Sequence, residues 1–425
     1  MTLPDDRKAV SEKMLKITVQ PEGAQSGWNP RRAARSMGLL LALALAIPAW
    51  AQQTRTYREG NSWVEEISGT LPPAPFFRVN TAIGNISVET GGREIRYTVR
   101  MRSSRAKEQE ARRALSALRV SARRLGQVAT LEAVWTDRNY ARRFSADFTL
   151  QIPPGVGLIH IDTMGGSITV SGATARLDLG TMGGNITVGT ARGYINAHTL
   201  GGTVNIGNAE SGLMVKSGGG DITVGNAGKR VEIYTPGGNI NVNSMGSGYI
   251  QTGAGSVRVN HAVGDLNVKT AGGFVNLGDM EGRVAVENGG GNIRISSCRG
   301  NVTASTSGGN IELWKLYRGA QVQTGTGSIT VEFLGGRGSF GESYVRTAAG
   351  DVVVYLNGAT PVTVHAVSEM AAGRGIRSVF PQLRISTEGG DFGPKTVHAD
   401  GTLNGGGPSL QVRTTIGQIE FRRAR

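Results

Sequence analysis

One short phrase, Thr-x-Gly-Gly-x-Ile-x-Val, returns along this chain at a nearly fixed distance. It reads TMGGSITV from Thr163, TMGGNITV from Thr181, TLGGTVNI from Thr199 and TPGGNINV from Thr235. The place of its second glycine is held by Gly166, Gly184, Gly202, Gly220, Gly238, Gly255, Gly273, Gly291, Gly309 and Gly327. Eight of the nine intervals are eighteen residues, and one, between Gly238 and Gly255, is seventeen. Self-similarity at a fixed short period is the mark of a stacked-repeat architecture.

Eighteen residues could be three hexapeptides or two nonapeptides. Steps of six from Ile168 meet Thr174, Gly180, Ile186, Arg192 and His198, which share no character. Steps of nine meet Leu177, Ile186, Ile195, Val204, Leu213, Ile222, Val231 and Ile240. Two places beyond each lies a second apolar row: Val170, Leu179, Val188, Ala197 and Ile206 begin it. After a one-residue slip within Asn243–Ser247 both rows resume at Val257 and Val259. Leu150/Ile152 and Ile159/Ile161 extend the rows backwards, and Val352/Val354 pick them up after an insertion. Residues at i and i+2 share one face of a strand. The expected fold is all-β: a parallel two-sheet β-solenoid whose 18-residue coils each contain two nine-residue strand–turn units. The corner glycines are expected to supply positive φ. The small polar residues after them (Ser167, Asn185, Thr203, Asp221, Asn239) should satisfy corner backbone groups.

The ends read differently. Residues 37–51, MGLLLALALAIPAWA, follow Arg31, Arg32 and Arg35 and end in a small-residue site. This pattern predicts a secretory signal peptide over 1–51, cleaved after Ala51, and is too short for a membrane span. Residues 52–155 are expected to form an α/β cap, with one isolated strand unit near Asn80 and a helix whose apolar face is Ala111, Ala114, Leu115 and Leu118. The repeats are placed at 156–356. Residues 357–425 are read as a C-terminal extension, irregular over Ser368–Leu383, with closing strands over 384–425. Charge separates the cap from the rest: residues 91–146 carry fourteen basic and five acidic side chains, a net +9 within a chain total of +14.

Little in the sequence points to chemistry. Gly336-x-Gly338-x-x-Gly341 matches a dinucleotide fingerprint, but with 64 glycines such a match is expected by chance, and no helical pattern follows. Gly218-Gly219-Gly220-Asp221 has the look of a calcium-binding turn, yet only Asp221 and Asp351 hold that place, so no metal is expected. The five histidines lack ligand spacing. Cleavage of a polysaccharide would need converging carboxylates. The outward rows, Thr169, Thr187, Asn205, Thr223, Asn241 on one sheet and Asp178, Asn196, Met214, Glu232, Asn267 on the other, stack no two acids on neighbouring coils. Trp314, Tyr317 and the single Cys298 are assigned to corner packing. No cofactor, catalytic residue or metal ligand is therefore assigned, and the alternative is a carbohydrate-active β-helix enzyme using loop residues.

The repeat phrase and the ending GGGPSLQVRTTIGQIEFRR over Gly405–Arg423 resemble the bacterial family named putative adhesin, exported β-strand-repeat proteins with a domain of unknown function. The resemblance covers about Val79 to the C-terminus. It implies a non-enzymatic envelope protein, periplasmic, surface-bound or secreted. A binding face for an anionic envelope polysaccharide is expected on the basic helix, at Arg105, Lys107, Arg112 and Arg113, where guanidinium forks suit phosphate or carboxylate. Another surface protein is the second partner class. No specific nucleic acid partner is expected.

Overall fold

The computed structural model describes residues 52–105, 107–140, 144–336, 338–371, 375–389 and 393–424. The predicted leader and cleavage site lie outside the described residues. Those residues are nearly all β: 34 strands, one α-helix and one short 3-10 turn.

Strand pairing follows the sequence period. Ile168–Ala173 lies parallel to Ile186–Ala191, with Ile168 opposite Ile186 and Val170 opposite Val188, and Ile186–Ala191 in turn lies parallel to Val204–Ala209. A second series runs Leu158–Thr163, Arg176–Thr181, Ile195–Thr199, Leu213–Ser217, again parallel and in step. Both series stay parallel on to Ile329–Phe333 and Ser343–Ala349, with register shifts between Ala227 and Arg230, at the approach to the seventeen-residue interval, and between Leu313 and Leu316. The nonapeptide rows are the core: Ile168, Leu177, Ile186, Ile195, Val204, Leu213, Ile222 and Val231 are each fully buried. They belong to one apolar cluster that runs from Ile67 to Phe421. At about 1.5–3 kcal/mol per buried aliphatic side chain, these rows dominate the stabilisation.

The corners explain the repeat phrase. Its threonine is buried, as at Thr181 and Thr199. Thr199 Oγ1 donates to the Gly184 carbonyl of the preceding repeat at 2.9 Å and accepts from Gly202 N–H at 3.0 Å. Thr181 does the same with Gly166 and Gly184. A hydroxyl can both donate and accept, so one side chain satisfies two corner backbone groups that no strand partner reaches. The residue after the glycine extends the logic: Asn185 Oδ1 accepts from Thr203 N–H at 2.9 Å and Asp221 Oδ1 from Asn239 N–H at 2.7 Å.

The expected role of the glycine needs correction. Positive φ occurs at Gly166 and Gly273, but Gly184 and Gly202 are not left-handed. What forbids a side chain there is the neighbouring repeat: a Cβ on Gly202 would lie 1.9 Å from the Gly184 carbonyl oxygen. Glycine here permits close backbone approach.

Two further expectations change. The strand unit near Asn80 is not isolated. Phe76–Thr81 pairs in parallel with Leu158–Thr163, and Asn85–Thr90 with Ile168–Ala173. Behind it, Phe144–Ile152 pairs with Asn85–Thr90 through Phe148 and Leu150, opposite Ile86 and Val88, so the apolar pair there is Phe148/Leu150 and not Leu150/Ile152. Ser368–Leu383 is not wholly irregular either, since Val362–Ala371 is a strand parallel to Ser409–Ile416 and Ile376–Ser378 pairs with Ile419–Arg423. Both series stop in antiparallel strands at the N-terminal side: Leu118–Leu125 on Val128–Trp135, and Gln53–Glu59 on Ser62–Leu71.

Candidate binding surface

The helix is Glu108–Ser116, with Ala111, Ala114 and Leu115 buried as the apolar pattern required. Leu118 is also buried, but it opens the strand Leu118–Leu125. The structure brings the four expected basic residues together around this helix, and it brings acids with them. Arg112 Nε lies 2.9 Å from Glu108 Oε1, Lys107 Nζ 3.9 Å from Glu110, and Arg105 4.0 Å from Glu110. Arg112 also stands 6.0 Å over the ring of Trp63. Arg113 is exposed and has no ion pair among the described residues. Acids in the first turn suit the positive end of the helix dipole. The same two glutamates compensate much of the local positive charge, a consequence that the count of arginines alone had hidden.

The surrounding arginines are treated likewise. Arg100 Nη2 reaches Glu59 at 2.8 Å, Arg102 reaches Asp147 at 2.8 Å, and Arg123 reaches Glu132 at 3.2 Å. Arg142 and Arg143 lie outside the described residues.

The repeats carry the other candidates. Thr169, Thr187, Asn205, Thr223 and Asn241 are exposed and in register along one series. On the other series His160 Nε2 lies 2.7 Å from Asp162 Oδ2. This hydrogen bond holds the imidazole above its usual pKa and the carboxylate below its own, against partial desolvation of both. Among the described residues, no group of three or more His, Cys, Asp or Glu is placed to hold a metal ion, and no helix is long and apolar enough to cross a membrane. Asp221 already uses a side-chain oxygen on a backbone N–H, as above. Cys298 is fully buried, and burial pushes its thiol up to about 11. Trp314 is half-buried against Tyr355, 5.8 Å between ring centres, while Tyr317 is 40% exposed.

One feature escaped the sequence reading. The outward row on the second series includes Tyr249, between Glu232 and Asn267. Tyr249 lines an open cleft of about 460 Å³ with Arg230, Asn267 and Arg283. The seventeen-residue interval was the available signal.

No family model and no curated protein matches the chain. Solved structures do match. One is a putative adhesin from Bacteroides fragilis, 13% identical, with 68% of this chain and 96% of that chain covered and a TM-score of 0.25. A putative cell adhesion protein from Clostridium sporogenes is 9% identical, with 85% and 100% covered and a TM-score of 0.16. A putative lipid binding protein from Parabacteroides distasonis is 12% identical, with 70% and 97% covered and a TM-score of 0.25. The first carries the description that the repeat phrase led us to expect. At such identities and TM-scores neither adhesion nor lipid binding transfers to this chain.

Proposed function

We propose that the chain winds as a two-sheet parallel β-solenoid which is exported and acts through its surface, without catalysis, in the envelope or outside the cell. The observation that carries this reading is the parallel register at one-repeat spacing, with apolar rows buried and polar, mostly uncharged rows left exposed in step. Such faces offer hydrogen bonds at a regular spacing of ~4.8 Å and no converging acid pair. In this reading residues 1–51 are the signal peptide, 52–155 the cap, 156–356 the repeats and 357–425 the closing extension. The antiparallel strands at the N-terminal side protect edges that would otherwise recruit another chain.

The partner is an anionic envelope polysaccharide or another surface protein. At the basic helix, Arg113 makes the first contact, and Arg105, Lys107 and Arg112 join as the polyanion displaces Glu108 and Glu110. Two measurements test the proposal. N-terminal sequencing of the protein from fractionated cells should begin at Gln52 in an exported fraction; an intact leader in the cytoplasm would refute export. Retention on purified envelope glycans should fall steeply with salt, as the Debye length shrinks from ~10 Å at 0.1 M to ~3 Å at 1 M. It should fall too when Arg105, Arg112 and Arg113 are changed to Ser. Retention insensitive to both would remove the helix from the binding surface.

A further inference from the structure

The seventeen-residue interval shapes a cleft at a break in the repeat. The register between Ile222–Thr235 and Ile240–Thr252 shifts between Ala227 and Arg230, and Gly248 takes a place held by Val231 before it and Leu266 after it. A Cβ at Gly248 would lie 2.1 Å from the Val231 carbonyl oxygen, so no side chain can fill that place. Beside it lies the open cleft of about 460 Å³, within the roughly 300–1,000 Å³ typical of small-ligand sites. A second hollow of about 430 Å³ shares Arg230 and Ser247 with it.

The lining is chemically specific. Arg230 donates from Nε to Glu232 at 2.6 Å, and its two terminal nitrogens make no hydrogen bond among the described residues. Arg283 is exposed, and its side chain has no ion pair among the described residues; its backbone N–H donates to Asp265 Oδ1 at 2.8 Å. Tyr249 is fixed on both sides, with its ring 5.5 Å from that of Tyr234 and its hydroxyl donating to Gln251 at 2.8 Å. Asn267 Oδ1 is buried and has no hydrogen-bond partner among the described residues. A buried acceptor without a donor carries a free-energy cost.

We propose that this cleft binds an acidic sugar unit, a uronic acid within a polysaccharide. The carboxylate pairs with the guanidinium groups of Arg283 and Arg230, for which a planar fork is suited. The apolar face of the sugar rests against Tyr249. A neutral sugar would leave Arg283 without a counter-charge, since Arg230 alone already pairs with Glu232. This inference deepens the surface-binding reading and rests on it, but it does not depend on the basic helix.

The test is calorimetric titration of the mature protein with trigalacturonate and, in parallel, with a neutral galactose trimer. We expect the acidic trimer to bind and the neutral one to bind at least tenfold more weakly. Arg283→Gln and Tyr249→Ala should each weaken the acidic trimer about tenfold or more, the scale of one charge-assisted contact, with unchanged melting temperature for Arg283→Gln. The Arg105/Arg112/Arg113→Ser variant should bind it as the wild type does. Absence of binding, equal binding of both trimers, or full affinity in Arg283→Gln would overturn the cleft. Loss in the helix variant alone would also overturn it while leaving the surface-binding reading intact.

Discussion

The repeats between Gly166 and Gly238 and the shortened one between Gly238 and Gly255 are built from the same phrase, yet their corners differ. In the regular part the chain leaves one strand and enters another, as from Ile186–Ala191 to Ile195–Thr199. At the short interval Ile240–Thr252, and in the repeat just before it Ile222–Thr235, runs through the corner as a single long strand. The buried rows lose one aliphatic side chain there, at Gly248, while Val242, Ile250 and Val257 remain in the core. An asparagine column also bridges it, Asn226 bonding Asn208 at 3.0 Å and Asn243 bonding Asn226 at 3.1 Å. Deleting one residue from a turn therefore moves a corner without disturbing the core on either side. Regular corners give stability, and the irregular one gives shape.

The largest expected effect lies in the rows that both kinds of repeat share. Val286→Asp places a charge at a site 1% exposed and should cost several kcal/mol, whereas the exposed Thr187→Lys should cost under ~0.5 kcal/mol. Denaturant midpoints measure the difference; equal midpoints would destroy the nine-residue register. Next come the corners. Gly202→Ala would drive a Cβ into the preceding repeat and should cost about 1–3 kcal/mol, while Gly201→Ala, with nothing within 4 Å, should stay within about 1 kcal/mol of wild type. If the two alanine variants melt together, close backbone approach is not what selects glycine there.

How much of this could be read in advance depended on periodicity. Aliphatic residues at i and i+2 every nine places identified Ile168, Val170, Leu177 and Leu179 as core, because strand geometry leaves no other common face. The strands Val128–Trp135 and Phe144–Ile152 show the same alternation of buried and outward residues. Pairing partners outside the period were not. Phe76–Thr81 leads into TAIGNISV at Thr81, a copy of the phrase lacking its first glycine, but that copy stands far outside the eighteen-residue spacing, so its place beside Leu158–Thr163 was visible only in three dimensions. The basic helix was legible as a helix but not as a surface, since pairing Glu108 with Arg112 and Glu110 with Lys107 depends on side-chain geometry that a charge count averages away. The cleft was hidden for a related reason: an interrupted pattern carries no information about what fills the gap.

Cys298 offers a smaller test of the regular part. Its thiol is wholly buried in a regular repeat and pushed up to about 11, so little thiolate exists at neutral pH. Alkylation at pH ~8 should proceed only as fast as the protein opens, and should accelerate sharply in denaturant. Rapid labelling of the folded protein would mean that the repeats around Gly282 and Gly300, whose carbonyls the sulfur contacts at 3.5 and 3.4 Å, breathe more freely than their packing implies.

The smallest effect concerns the exposed face of the regular repeats, where His160 and Asp162 are paired at 2.7 Å. The hydrogen bond to Asp162 is the main cause of the raised imidazole pKa, aided by the charges of Asp162 and Asp178 and opposed by desolvation and Arg78. Asp162 is lowered chiefly by the same bond, with help from His198 and Arg78. A histidine whose folded pKa exceeds its unfolded value of 6.5 adds stability that is complete below that value and vanishes as pH rises through the folded one. An aspartate whose folded pKa is depressed below 3.8 adds stability above that value and loses it as pH falls further. The pair therefore acts between these limits. His160→Gln should destabilise by a few tenths of a kcal/mol, or ~1 kcal/mol at most, near pH ~5.5, because both groups are partly in water. The difference should be gone by pH ~8.5, where the imidazole is neutral in both states. Melting curves of the two proteins across that range decide the matter, and a gap that grows with pH would mean that His160 is held in place as a neutral ring.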